Sequence, residues 1–106
     1  MYVSDSETGD ILRFEVLENG DLSDETVFAN IGMPGDKGAA DGMITDSDGR
    51  LYTTGPNGLT VFDNEGNQLA NMEFEEQITN VELGNDETEL FVTGANSVYR
   101  VKVNKL

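Results

Sequence analysis

A hairpin pattern that occurs twice constrains this chain more than any other feature. In residues 41–55 two short apolar runs flank the dipeptide Asp48-Gly49, which predicts a tight two-residue turn between two β-strands. Residues 80–94 repeat this arrangement. The first residue of each passage, Asp41 or Asn80, lies eleven positions before an aromatic residue. We therefore expect Asp41 and Asn80 to occupy equivalent positions in two copies of one hairpin.

A third copy of the repeat lies at the start of the chain. The apolar segments that correspond in the three copies begin at Met1, Leu51 and Leu90, so the spacings are 50 and 39 residues. Repeats of roughly 40–50 residues with about four strands each are typical of β-propeller blades. The alternative is a plain antiparallel meander or sandwich with coincidental spacing. Because apolar, polar and turn positions align together, we predict an all-β chain of about two and a half propeller blades.

The predicted strands form one partial propeller domain. We expect an incomplete blade over residues 1–31, a complete blade over 41–75 and an incomplete blade over 78–106, with a long connection from Gly32 to Ala40. A single copy would expose two unpaired sheet edges and apolar blade faces. The chain is therefore either a fragment of a larger propeller or one member of a ring that several copies assemble.

Two of the strands show an alternation of apolar and polar residues that predicts burial of one face. In the strand over residues 11–16, the predicted buried face carries Leu12, Phe14 and Val16. In the last strand, the predicted buried face carries Tyr99, Val101 and Val103, opposite Arg100 and Lys102.

The composition excludes several kinds of function. The 106 residues include 21 acidic and 6 basic side chains, for a net charge of −15. This negative field repels phosphate, so we expect neither nucleic acid nor an anionic membrane as a partner. It fits either attraction of cations or a solubility surface, as in a salt-adapted protein. Cys and His are absent, so hydrolysis would have to use carboxylates, Lys or a metal-bound water.

The sequence shows no signal for a membrane. No apolar run approaches the ~20 residues of a membrane span, and the start lacks the basic and apolar regions of a signal peptide. We expect a soluble protein whose compartment the sequence does not indicate.

Position in the repeat makes Asp41 and Asn80 candidates for a ligand site. In a propeller the first strand of each blade lines the central channel, and both residues open such a strand. We expect their side chains to face the same mouth of the channel, where a carboxylate and an amide oxygen suit a hard cation such as calcium. The alternative is that Asp41 only closes a turn with the Gly42 amide.

Two other acidic passages have simpler interpretations. Asp46-x-Asp48-Gly49 resembles part of a calcium-binding loop, but the remaining ligands of such a loop are missing, so we interpret it as a hairpin turn. Glu73, Glu75 and Glu76 are interpreted as a solvated face.

Several passages together are typical of one known family. They include Asp41-Gly42-Met43, the run from Asp46 to Tyr52, and Val61-Phe62-Asp63, with Met1–Ser6 and Arg13-Phe14 near the start. The chain resembles the senescence-marker-protein (regucalcin), gluconolactonase and luciferin-regenerating-enzyme family over essentially its whole length. It looks like the C-terminal third of such a protein.

The resemblance implies a six-bladed propeller that hydrolyses sugar lactones or related esters with a divalent metal, calcium or zinc, at the channel mouth. It implies that Asp41 is a metal ligand and a base for the metal-bound water. The family's Glu and Asn ligands belong to segments upstream of Met1 and have no counterpart here, so the expected metal site is incomplete. Asn80 is a channel-facing candidate from position alone and is not carried over from the family's ligand set.

Two functions therefore stay open. In the first, the chain is a fragment of a metal-dependent sugar-lactone hydrolase, in which the cation polarises the lactone carbonyl and Asp41 assists proton transfer. In the second, it is a non-catalytic propeller-blade module for binding or assembly. The expected partners are a small lactone or ester substrate and either further copies of the chain or the missing blades.

Overall fold

The chain folds into antiparallel β-strands in a computed structural model that describes residues 1–31 and 40–103. Within these ranges there is no helix, and hence no helix long and apolar enough to cross a membrane. The strands are β1 (Tyr2–Ser4), β2 (Asp10–Arg13), β3 (Thr26–Asn30), β4 (Met43–Thr45), β5 (Leu51–Gly55), β6 (Gly58–Phe62), β7 (Gln68–Met72), β8 (Ile78–Gly84), β9 (Glu89–Gly94) and β10 (Val98–Lys102).

The strands form three sheets that follow the order of the chain. The first sheet is β1-β2-β3, the second is β4-β5-β6-β7 and the third is β8-β9-β10. Each strand pairs with its neighbour in sequence, which is the meander of a propeller blade. This architecture confirms the all-β prediction. The predicted long connection lies outside the described residues, except for its last residue, Ala40.

Two clusters of buried side chains hold the three sheets together. Ile11 of the first sheet packs with Leu51 and Phe62 of the second. Tyr52, the neighbour of Leu51 in β5, faces the other way and packs against the third sheet. Strands β5 and β6 of the middle sheet are therefore buried on both faces, as the alternation of side chains along a strand allows, whereas β7 is exposed along its whole length. The second cluster consists of Tyr52, Leu59, Ile78, Val81, Leu90 and Val92.

The predicted alternation is wrong in one strand and right in the other. Ile11 is 0% exposed and Val16 is 60% exposed, so the predicted buried face of residues 11–16 is wrong. The reason is that β2 ends at Arg13 and a bulge between Ile11 and Leu12 shifts its pairing with β3. In the last strand the prediction is confirmed: Tyr99, Val101 and Val103 pack against the second cluster, whereas Arg100 and Lys102 are exposed.

The β4–β5 turn lies where the sequence predicts it but is longer. Asp46 N–H donates to Arg50 O at 3.0 Å, and Gly49 N–H donates to Asp46 O at 3.1 Å. Gly49 has a φ of +83°. This is a three-residue loop, residues 47–49, with glycine in the left-handed third position. The predicted two-residue turn at Asp48-Gly49 is therefore wrong in length.

A buried carboxylate fixes this hairpin. The Asp46 side chain is 1% exposed and accepts hydrogen bonds from Arg50 Nε at 2.7 Å and Tyr52 OH at 2.9 Å. Its other oxygen accepts the backbone N–H groups of Asp48 and Arg50, each at 2.9 Å. Because these four donors occupy both oxygens, the carboxylate stabilises the hairpin. This agrees with the interpretation of the passage Asp46-x-Asp48-Gly49 as a hairpin turn.

The same contacts shift two pKa values in opposite directions. Burial alone would raise the pKa of Asp46, but the hydrogen bonds from Arg50, Tyr52 and Asp48 outweigh it and hold the pKa of Asp46 below its usual range. Burial and the hydrogen bond to Asp46 raise the pKa of Tyr52 to about 12. Asp46 is thus ionised and Tyr52 neutral at neutral pH.

Candidate functional site

The two hairpins differ in register by one residue. In the first hairpin Ile44 pairs with Tyr52, eight positions later, whereas in the second Glu82 pairs with Phe91, nine positions later. The second hairpin therefore holds one more residue between matched strand positions. The predicted equivalence of Asp41 and Asn80 is wrong, because their equal distance to an aromatic residue conceals this extra residue.

Asn80 is the structural counterpart of Gly42. Thr54 N–H donates to Gly42 O at 2.9 Å, and Thr93, which corresponds to Thr54, pairs with Asn80. Asp41 therefore aligns with the residue that precedes Asn80. The two candidates belong to the same ends of their strands but not to the same position.

Asp41 is an exposed residue immediately before β4. Its backbone N–H donates to Thr54 O at 2.9 Å, which anchors the main chain to β5. The Gly42 N–H donates to Thr54 Oγ1 at 2.8 Å. Because Thr54 takes this donor, the described contacts do not support the alternative in which the Asp41 carboxylate only closes a turn on the Gly42 amide.

The strands that begin near Asp41 and Asn80 lie against each other. A Cβ atom on Gly42 would be 2.6 Å from Asn80 Cα and would overlap the Asn80 side chain, so this close approach requires glycine. Asn80 is exposed, and its Oδ1 accepts the Val81 N–H at 2.9 Å. The segments of the two candidates are adjacent; the convergence of their side chains at a channel mouth stays a prediction.

Asp41 lines a cleft of about 820 Å³ at one end of the middle sheet. The cleft lies between the β5–β6 turn, residues 55–58, and the β7–β8 connection, residues 73–77. Among the residues that the structure describes, Asn80 does not line it. The acidic side chains that line the cleft are Asp41, Glu73, Glu75 and Glu76.

Glu76 has a structural role that the sequence does not predict. Its Oε1 accepts Asn96 N–H at 2.6 Å, and its Oε2 accepts Tyr99 OH at 2.9 Å. The Asn96 N–H and then the Tyr99 OH hold the pKa of Glu76 below its usual range. The interpretation of all three glutamates as a solvated face is therefore wrong for Glu76, whereas Glu73 and Glu75 are exposed.

Replacing Tyr99 with Phe is expected to raise the pKa of Glu76 while leaving it below the ordinary value. The substitution removes the hydroxyl donor and keeps the Asn96 N–H, which is the larger cause of the shift. Carboxyl-carbon NMR titration of the parent and the Y99F variant measures this. Because the folded pKa of Glu76 is lowered, its contacts stabilise the fold at pH values above the unfolded pKa. This stabilisation is lost as the pH falls through the folded pKa. An unchanged Glu76 titration in Y99F would contradict the contact.

The described residues do not by themselves complete a divalent-cation site. Across residues 1–31 and 40–103, no three or more Asp, Glu, His or Cys side chains are grouped so that they could hold one metal ion. Within the cleft, the oxygens of Glu76 already accept hydrogen bonds from Asn96 and Tyr99. Asp41 is thus a candidate metal ligand, and the described residues do not group further ligands with it.

Sequence reasoning found Asp41 but missed the opposite wall of the cleft. The turn signal Pro56-Asn57-Gly58 and the acidic residues 73–76 are both visible in the sequence. Their proximity depends on how the connection between the second and third sheets passes the β5–β6 turn. No local pattern encodes that arrangement.

Three meander sheets stacked through shared clusters, with a cleft among the loops at one end, define part of a β-propeller. The chain belongs to the SMP-30/gluconolactonase/LRE-like family, whose sequence profile matches residues 1–96. This confirms the family resemblance. No curated protein matches the sequence.

Solved structures show the same fold. A gluconolactonase from Xanthomonas campestris is 24% identical, with a TM-score of 0.79 over 95% of this chain and 33% of that chain. A luciferin-regenerating enzyme is 21% identical, with a TM-score of 0.74 over 90% of this chain and 33% of that chain. The propeller-type fold is therefore confirmed, and the chain spans about a third of the length of these structures.

Proposed function

We propose that this chain forms part of the active-site end of a lactonase-type hydrolase and that Asp41 is its functional carboxylate. Family membership supports a lactonase-type function for the portion of a propeller that the chain represents. The observation that carries the role of Asp41 is its place at the cleft, with its main chain fixed to Thr54 and its side chain exposed.

The chemistry of the cleft favours a neutral substrate. Its acidic side chains disfavour phosphorylated or carboxylated molecules, whereas a sugar lactone carries no charge. A carboxylate such as Asp41 is suited to binding a hydroxyl group or accepting a proton from water. A divalent cation, calcium or zinc, would supply polarisation of the lactone carbonyl in this proposal. Its remaining ligands would have to come from residues other than those described.

A second candidate function is a binding or assembly module without catalysis. The observation that favours it is the lack, among the described residues, of a group of acidic side chains that could share a metal ion. Under this alternative, Asp41 contributes only to the negative charge of the cleft.

Cation titration of the purified chain tests the two functions. We expect Asp41→Asn to weaken binding of calcium or zinc at least about tenfold, which corresponds to about 1.4 kcal/mol. Isothermal titration calorimetry measures the dissociation constant. Glu75→Gln is the matched control, because it removes the same charge from an exposed residue of the same cleft.

The Glu75→Gln control distinguishes coordination of the cation by one specific side chain from general attraction of the cation to the negative charge of the cleft. If the cation binds through Asp41, the Glu75→Gln variant keeps the affinity of the parent within about twofold, as expected for loss of one screened surface charge. Equal affinities for the parent and Asp41→Asn would exclude the proposed role and favour the assembly module.

A further inference from the structure

We propose that Thr54 is a positioning residue whose hydroxyl fixes the direction in which the Asp41 side chain leaves the main chain. The inference rests on the proposed function, in which Asp41 is the functional carboxylate, and it names the group that presents this carboxylate to the cleft. Thr54 is not among the described residues that line the cleft, so it acts through Asp41 and not on a ligand directly.

Both peptide groups that flank Asp41 are bound to Thr54. The N–H of Asp41, in the preceding peptide group, donates to Thr54 O at 2.9 Å. The N–H of Gly42, in the following peptide group, donates to Thr54 Oγ1 at 2.8 Å. Because peptide groups are planar, their orientations set the two backbone dihedral angles of Asp41. These two contacts therefore determine where its Cα–Cβ bond points.

A local irregularity beside β4 explains why a hydroxyl is needed. The main chain of Thr54 binds two residues, since its O accepts the Asp41 N–H and its N–H donates to Gly42 O at 2.9 Å. Two residues opposite one is the arrangement of a β-bulge, which re-aims a side chain. With the carbonyl of Thr54 taken by Asp41, the Gly42 N–H is paired by the threonine side chain instead.

Position 42 has little conformational restraint of its own. A Cβ atom there would lie 2.6 Å from Asn80 Cα, so the close approach of β8 requires glycine. Glycine admits a wider range of backbone angles than other residues, so the peptide group between Asp41 and Gly42 needs a contact to hold it. Thr54 is 0% exposed, so its hydroxyl is shielded from water that would otherwise compete for the Gly42 N–H.

The third sheet has the same bulge but uses its threonine differently. Thr79 and Asn80 lie opposite Thr93 there. The hydroxyls of Thr79 and Thr93 are hydrogen-bonded to each other at 3.0 Å. In that sheet the threonine therefore binds the side chain at the bulge, whereas Thr54 binds the main chain. The Asp41 carboxylate accepts no hydrogen bond within the described part of the chain and stays available at the cleft.

Substitution of Thr54 by Val and by Ser tests the inference. Thr54→Val keeps the shape of the side chain and removes the hydroxyl, whereas Thr54→Ser keeps the hydroxyl. Without added cation, we expect Thr54→Val to speed amide hydrogen exchange of Gly42 about fivefold, through loss of one hydrogen bond. Calcium titration by calorimetry is expected to give a dissociation constant at least about threefold above that of the parent. Thr54→Ser is expected to stay within about twofold of the parent in both measurements.

Thr53→Val is the matched control for loss of a buried hydroxyl. Thr53 is the neighbouring residue of β5, is also 0% exposed and has no described hydrogen bond with residues 41 and 42. We expect the exchange of Gly42 and the calcium affinity of this variant to stay within about twofold of the parent.

The possible failures of the inference and of the proposed function have different signatures. Unchanged exchange of Gly42 in Thr54→Val, or a Thr54→Ser variant that binds calcium as weakly as Thr54→Val, would overturn the inference. It would also fall if Thr54→Val bound calcium like the parent while Asp41→Asn did not, and the proposed function would then stand. Equal affinities for the parent and Asp41→Asn would overturn both.

Discussion

Replacing Asp46 with Ala is expected to lower the free energy of unfolding by about 3–5 kcal/mol, the usual cost of removing one partner from a buried ion pair. The substitution leaves the Arg50 guanidinium and the Tyr52 hydroxyl without the acceptor that they share. It also removes the acceptor for two backbone N–H groups of the loop. Urea unfolding followed by circular dichroism measures the change.

Asp48→Ala is the matched control for this prediction. Asp48 also contacts Arg50, at 3.0 Å, but its side chain is 56% exposed. An exposed ion pair of this kind contributes only about 0–1 kcal/mol. Similar losses of stability in the two variants would show that the buried position of Asp46 is not what matters.

Replacing Gly66 with Ala is the second change for which we expect a large effect, a loss of about 2–4 kcal/mol. Gly66 has a φ of +88°, which disfavours any residue with a Cβ atom. A Cβ atom there would also overlap Phe28 O, a backbone atom of the first sheet that cannot move by a simple change of rotamer. Thermal or urea unfolding measures the loss.

Gly20→Ala isolates the backbone part of this effect. Gly20 has nearly the same φ, +90°, but a Cβ atom there would have no neighbour within 4 Å. We expect the Gly20 variant to lose only about 1–2 kcal/mol, the cost of the left-handed conformation. If both variants lost the same amount, the packing of the 63–67 turn on the first sheet would contribute nothing to stability.

Much of the fold could be predicted because strand and turn signals are local. Gly49 and Gly66 mark three-residue loops, and both have positive φ. The register of the second hairpin could not be predicted in the same way. Its loop contains three successive non-glycine residues with positive φ, Asn85, Asp86 and Glu87. Such a conformation is rare for these residue types, so turn statistics do not indicate it.

A contact between hairpins accompanies this unusual loop. The Glu87 carboxylate accepts the Ser47 N–H at 2.9 Å and the Ser47 hydroxyl at 2.6 Å. The loop of the third sheet is thus bound to the loop of the second, forty residues earlier in the chain. Interactions between segments so far apart decide the conformation, and a local sequence window does not contain them.

The candidate site likewise combines features that the sequence predicts with contacts that it does not predict. Asp41 was predicted from its place at the start of a repeated strand, and the structure places it at a cleft. The hydrogen bonds that Glu76 accepts from Asn96 and Tyr99 are not predicted, because they join the β7–β8 connection to the β9–β10 loop and to β10, some twenty residues later. The predicted cation stays a prediction, since it depends on groups beyond those described.

Strands β5 and β6 of the middle sheet, which the first and third sheets cover on both faces, give this molecule an interior that does not depend on what adjoins its two ends. Sheets could be added at either end by duplication of a repeat without repacking that interior, whereas loss of the first or third sheet would uncover one of the two clusters. Growth by terminal addition would then change the circumference of a ring while conserving the packing within each unit.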